Sequence, residues 1–146
     1  MSACERVSTR SGTKVLLVED DEPTLELLSL FLGRFYCIVA CSSGESALQA
    51  LYTNADIDLI VTDLRMPGVN GFDVIRCAAE YSRRTGQPLP AVVLTGHGTP
   101  EDEHLARSLG VSHFHRKPID LTNLREAIEL CRSTTEAPSV KCDVAV

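Results

Sequence analysis

Four strand-like runs in this sequence each deliver a residue able to handle a metal ion or a phosphoryl group. "KVLLV" (14 to 18) leads into Glu19, Asp20 and Asp21, and "DLIVT" (58 to 62) into Asp63. "AVVLT" (91 to 95) ends on Thr95, and "SHFHR" (112 to 116) leads into Lys117. Ligands of open parallel α/β sheets bind beyond the carboxyl ends of the strands, so these acids, a hydroxyl and an amine are expected on one rim. Crowded carboxylates repel one another and are tolerable only if some protonate or a cation joins them. Oxygen ligands with open positions suit Mg²⁺, a hard ion that keeps several waters and often bridges to phosphate. Lys117 would offer a second positive charge to a phosphoryl oxygen, and Thr95 a hydroxyl donor. The set suits phosphoryl transfer with a carboxylate as covalent acceptor. Taken singly, the residues have plainer readings. One of Glu19, Asp20 and Asp21 could cap a helix ahead of Pro23, and Lys117 could be a surface lysine. Their joint placement on successive strand ends favours the chemistry.

The elements that must position these residues follow from periodicity. Five short runs, including "CIVAC" (37 to 41), alternate with segments of helical spacing, which predicts a repeated β-α pattern. Leu59, Ile60 and Val61 have the continuous apolar character of a strand covered on both faces, as parallel sheets require. Leu124, Ala127, Ile128 and Cys131 return at i, i+3, i+4 and i+7, one face of a last helix. Thr99 can cap a helix opening on Pro100, with Glu101, Asp102 and Glu103 at the positive end of its dipole and Gly110 as a stop. Asp120 can cap the last helix, while Gly33 and Gly86 fall where the first and third should end. Right-handed crossovers then place helices on both faces of the sheet.

Composition bounds the rest. With 146 residues, 44% hydrophobic and 23% charged, one globular domain is expected. The formal charge of −6 gives no support for direct nucleic-acid binding or attraction to acidic membranes. No apolar run approaches the roughly 20 residues that span a bilayer, and "MSACERVSTRSGT" lacks the apolar centre of a secretory signal, so a cytoplasmic protein is expected. Six scattered cysteines without C-x-x-C or zinc spacing read as reduced structural thiols. Residues 1–13 and 133–146 read as a flexible amino-terminal extension and a flexible carboxyl-terminal tail around a domain over 14–132.

"VLLVEDDE", "DLIVTDLRMPGVNGFDVI", "VVLTGHG" and "FHRKPID" together resemble the receiver domain of two-component response regulators. The resemblance implies a flavodoxin-like, doubly wound (βα)5 fold with a five-stranded parallel sheet in the order 2-1-3-4-5. It implies Asp63 as phosphoacceptor, served by a histidine kinase or histidine phosphotransfer protein, in a signalling domain rather than an enzyme. Asp20 and Asp63 would ligate Mg²⁺ directly, Glu19 largely through water, and the backbone carbonyl of Arg65 would complete the protein ligands; Mn²⁺ can substitute. Lys117 would pair with the phosphoryl group. Thr95 and Phe114 would be the switch residues, changing an α4-β5-α5 surface read by a downstream output domain or protein. Phe114 stands where tyrosine is common, so a phenolic hydrogen bond is no part of this switch. Arg65 and His97 lie where family members tune phosphoryl lifetime. A cis Lys117–Pro118 bond is also implied. The chain would act as a monomer or as a phosphorylation-dependent homodimer.

Other classes fit less well. A phosphatase of the haloacid dehalogenase type wants D-x-D after the first strand, whereas "VEDDEP" and "TDLRMPG" lack a second acid two residues on. A receiver-like domain that binds partners without phosphorylation is the non-catalytic alternative, but it would normally lack one of the acidic, threonine or lysine positions. A flavin-binding flavodoxin is opposed by acids where phosphate would sit. His113 and His115 alternate along a strand and read as packing or exposed residues.

Overall fold

A computed structural model describes residues 12–53 and 56–132. Strands β1 (Lys14–Val18), β2 (Cys37–Cys41), β3 (Leu59–Thr62), β4 (Ala91–Thr95) and β5 (His113–Arg116) form one parallel sheet in the order β2-β1-β3-β4-β5. Between and after them run α1 (Glu22–Leu32), α2 (Gly44–Thr53), α3 (Gly71–Thr85), α4 (Pro100–Ser108) and α5, described over residues 121–132. This is the doubly wound, flavodoxin-like arrangement expected. The chain leaves β1 toward β2 on one side and returns to β3 on the other, so the strand order reverses at β1 and opens a crevice at the carboxyl ends of β1 and β3.

The apolar runs are continuous because alternate residues serve opposite faces. Leu16, Val18, Ile60, Val93 and Phe114 pack with Ala47 and Leu51 of α2, Val74 and Ile75 of α3, and Ala106 of α4. Val15, Leu17, Leu59, Val61, Val92 and Leu94 pack on the other face with Leu28 and Leu32 of α1 and with Leu124, Ala127, Ile128 and Cys131. The last set is the helical stripe read from the sequence.

Helix ends follow the expected punctuation. Asp21 caps α1, its Oδ2 accepting from Thr24 N at 3.1 Å. Thr99 caps α4, and Gly86 closes α3 in the left-handed region at φ 76°. Asp120 Oδ1 accepts from Thr122 N at 2.8 Å at the start of α5. The Lys117–Pro118 bond is cis.

The expectation of reduced thiols needs one correction. Cys41, Cys77 and Cys131 are free, but Cys37 is disulfide-bonded. The flexible ends expected over 1–13 and 133–146 also lie outside them, except for Gly12 and Thr13; Thr13 is buried, and its carbonyl accepts from Cys37 N at 2.8 Å. No helix among the described residues is long and apolar enough to cross a membrane.

Candidate functional site

The sheet's ladder extends one residue past three strands and thereby fixes the rim. Glu19 N donates to Cys41 O at 3.0 Å, Asp63 N to Val18 O at 3.1 Å, and Lys117 N to Thr95 O at 2.8 Å. Backbone positions at the crevice are therefore set by sheet register rather than by loop conformation. Beyond Asp63 the chain must turn at once, and Gly71 makes that possible. A Cβ on Gly71 would lie 2.0 Å from the Asp63 carbonyl oxygen, so only glycine lets α3 start this close to the end of β3.

Three carboxylates and one ammonium meet there. Lys117 Nζ donates to Glu19 Oε1 at 2.6 Å and to Asp63 Oδ2 at 3.2 Å. Asp63 Oδ1 accepts from Leu64 N at 2.6 Å, and Glu19 Oε2 from Asp21 N at 3.1 Å. Glu19, Asp20 and Asp63 each bring an oxygen within 4.8 Å of the others. Glu19 and Asp63 are buried, whereas Asp20 is exposed. Asp21, the third acid of the run, is occupied in capping α1, where hydrogen bonds from Thr24 hold its carboxyl below the usual range.

Electrostatics favour a further cation. Burial raises the Glu19 carboxyl above its ordinary value, although the hydrogen bond and charge of Lys117 oppose the rise and the Asp63 charge adds to it. For Lys117, burial disfavours the charged form, but its bonds to Glu19 and the charge of Asp63 prevail and raise its pKa. One ammonium leaves three converging acids undercompensated, with the exposed Asp20 on the solvent side. Hard oxygen donors with an open approach fit a divalent ion such as Mg²⁺.

The remaining sequence-selected residues lie around this cluster. Thr95 is fully buried at the end of β4, beside β3, and its Oγ1 accepts from His97 N at 3.4 Å. Phe114 is buried on β5, one strand further out. It packs by Gly98, where a Cβ would meet both Phe114 Cζ and Thr95 Cγ2 at 2.8 Å. His97 is exposed. The Arg65 side chain reaches α4, where its Nη2 donates to Asp102 Oδ1 at 2.6 Å and Oδ2 at 2.7 Å.

Two features went unread in the sequence. Asp102 is a buried member of a capping box, accepting from Thr99 N while its own N–H donates to Thr99 Oγ1, and it also receives Arg65. The T-x-x-D spacing of Thr99 and Asp102 was the available signal. Arg116, next to Lys117, lies 5.2 Å from the centroid of the Phe114 ring while its Nε donates to Gly98 O at 3.2 Å.

Comparison with known proteins gives the same picture along most of the chain. A family model described as the response regulator receiver domain matches residues 15–129. The transcriptional regulatory protein GlrR of Escherichia coli K12 is 37% identical over 117 residues, covering 79% of this chain and 25% of that protein. A probable cyclic di-GMP phosphodiesterase of Vibrio cholerae is 32% identical over 118 residues, covering 81% of this chain and 26% of that protein. The chain thus spans about a quarter of the length of these curated relatives. A solved response regulator receiver domain protein from Clostridium thermocellum superposes with a TM-score of 0.76 at 27% identity, covering 86% of this chain and 98% of that one.

Proposed function

The chain belongs to the response regulator receiver domain family, and from that premise we propose that Asp63 is its phosphoacceptor. The observation that carries this reading is Lys117 Nζ bonded to both Glu19 and Asp63 within a cluster of three acids at the strand-order reversal. The donor is a phosphohistidine on a histidine kinase or histidine phosphotransfer protein, and the setting is the cytoplasm. Receiver domains are signalling modules; here the acceptor chain supplies the groups that promote its own labelling and later hydrolysis.

A carboxylate oxygen of Asp63 attacks the phosphorus as the P–N bond breaks. The electron pair leaves with the imidazole nitrogen. Lys117 shifts its hydrogen bond from Asp63 Oδ2 to a phosphoryl oxygen, matching the charge that arrives. Asp20, Asp63 and the backbone carbonyl of Arg65 would hold Mg²⁺ or Mn²⁺ directly, and Glu19 through water. When bound, that ion neutralises and orients the phosphoryl oxygens.

Thr95 and Phe114 form the switch. The Thr95 hydroxyl turns from His97 N toward the new phosphoryl group, which alters the wall that Phe114 and Gly98 share. Phosphorylation shifts the population only as far as these contacts favour one state over the other. The surface formed by α4, β5 and α5 then presents that state to an output domain or protein, with the chain as a monomer or as a phosphorylation-dependent homodimer. Arg65 and His97 tune the lifetime of the phosphoryl group.

The test is transfer from phosphoramidate, whose P–N bond resembles that of phosphohistidine, in the presence of Mg²⁺. Label that hydroxylamine discharges, as it does from an acyl phosphate, and that Asp63→Asn abolishes would support the reading. Label resistant to hydroxylamine would place the group on another residue type and overturn it.

A further inference from the structure

We propose that Asp102 is a positioning residue for phosphoryl lifetime, acting by anchoring the Arg65 guanidinium so that the Arg65 side chain stays stretched from the acceptor loop to the start of α4. This rests on Asp63 being the acceptor. Arg65 follows Leu64, whose N–H holds Asp63 Oδ1 at 2.6 Å, so its backbone is tied to the acceptor carboxylate. Its other end is tied as well, with Nη2 within 2.7 Å of both Asp102 oxygens. A side chain fixed at both ends keeps its extended form, where a free arginine would sample many rotamers.

The anchor is unusually well prepared for a residue that binds a half-exposed arginine. The Asp102 side chain is 9% exposed against 53% for Arg65. Thr99 N fixes the carboxylate at 3.2 Å, and Asp102 N is fixed to Thr99 Oγ1 at 3.0 Å. The capping box therefore does two things at once: it starts α4 and presents a rigid acceptor to Arg65. Arg65 in turn bridges the loop after β3 and the first turn of α4. An arginine stem fixed between these two ends would stand in the way of water approaching Asp63 from the α4 side, which a freely moving side chain would do only part of the time.

The test is a double-mutant cycle on the decay of acetyl-phosphate-labelled chain, followed by intact mass. Asp102→Asn keeps an oxygen for Thr99 N and removes the charge; Arg65→Ala removes the side chain from a half-exposed position and leaves the cap intact. Each is expected to lose its phosphoryl group about threefold to tenfold faster than the unsubstituted chain. The double variant should decay no faster than either single one, and Arg65→Lys, which keeps a cation able to reach Asp102, should recover most of the lifetime. Unchanged or slower decay in Asp102→Asn overturns the proposal. So does an equal effect of Asp102→Asn in the Arg65→Ala background, because the residue would then act through the helix cap alone. Failure of the unsubstituted chain to take up phosphate would overturn the acceptor reading and this inference with it, whereas labelling with unchanged decay overturns this inference only.

Discussion

Glu19 lies deep in the crevice with a carboxyl that burial raises above its ordinary value of 4.5, despite the hydrogen bond from Lys117. A carboxyl raised in the fold holds its proton more tightly folded than unfolded. Its contribution to stability is therefore present below pH 4.5 and lost as pH rises through the raised value. At neutral pH the ionised group works against the fold and is useful only for what its charge does for a cation. Without divalent metal at pH 7, Glu19→Gln is expected to melt at the same temperature as the unsubstituted chain or higher. It should also bind Mg²⁺ about tenfold more weakly, by analogy with the loss of groups that act on a metal through an intermediary. Calorimetry and a Mg²⁺ titration check both halves; a clearly lower melting temperature would mean that pairing with Lys117 outweighs the burial. Asp21 shows how little separates a site residue from a structural one. It is adjacent to Asp20 in sequence, yet its carboxylate is committed to Thr24 at the head of α1.

Between elements, two contacts carry measurable consequences. The loop between β4 and α4 passes so close to β5 that Gly98 has no room for a Cβ, which would fall 2.8 Å from the Phe114 ring. Gly98→Ala should cost about 1–3 kcal/mol through overpacking and displace the ring toward solvent. Denaturant unfolding and the ring resonances of Phe114 would report it, and unchanged stability would show that the loop yields instead. On the opposite face, the Tyr36 hydroxyl donates to Glu129 and links the turn after α1 to α5. Burial, and then that acidic partner, push the Tyr36 phenol up to about 12. This proton is held more tightly in the fold, so the stabilisation is full below pH 10 and is lost as pH rises through about 12. The stability difference between the unsubstituted chain and Tyr36→Phe should accordingly shrink over that interval. Most of this architecture was legible: both-face burial left continuous apolar runs, and the caps at Thr99 and Asp120 stand where their types and spacing put them, while the structure selects Asp21 from the three acids that could cap α1. The pairing of Arg65 with Asp102 was not, because it joins residues 37 apart through side-chain conformations that no local pattern encodes. Nor was the bonding of Cys37, whose spacing to the other cysteines carries no disulfide signature.

At the scale of the whole molecule, the strand order gathers the ends of β1 and β3 at one crevice, and a metal ion held by the acids on them would make binding and folding interdependent. An ion that binds only the folded chain stabilises it by mass action, so Mg²⁺ at about one hundred times its Kd should add about 2.7 kcal/mol. The upward shift in melting temperature should be lost in Asp20→Ala, because Asp20 is the exposed member of the cluster and closes it on the solvent side. A matching shift in that variant would place the ion elsewhere. The two hydrophobic layers on either side of the sheet hold this arrangement, while α4, β5 and α5 lie along one edge where a change near Thr95 and Phe114 can reach the surface. All of this turns on Asp63 accepting a phosphoryl group. The most direct measurement is intact mass after incubation with acetyl phosphate and Mg²⁺, beside Asp63→Asn and a metal-free control, with a known receiver labelled in parallel. A single phosphate adduct that requires both Mg²⁺ and Asp63 is the expected result; a folded chain that stays unlabelled while the control receiver is modified, or an adduct that persists in Asp63→Asn, would contradict it.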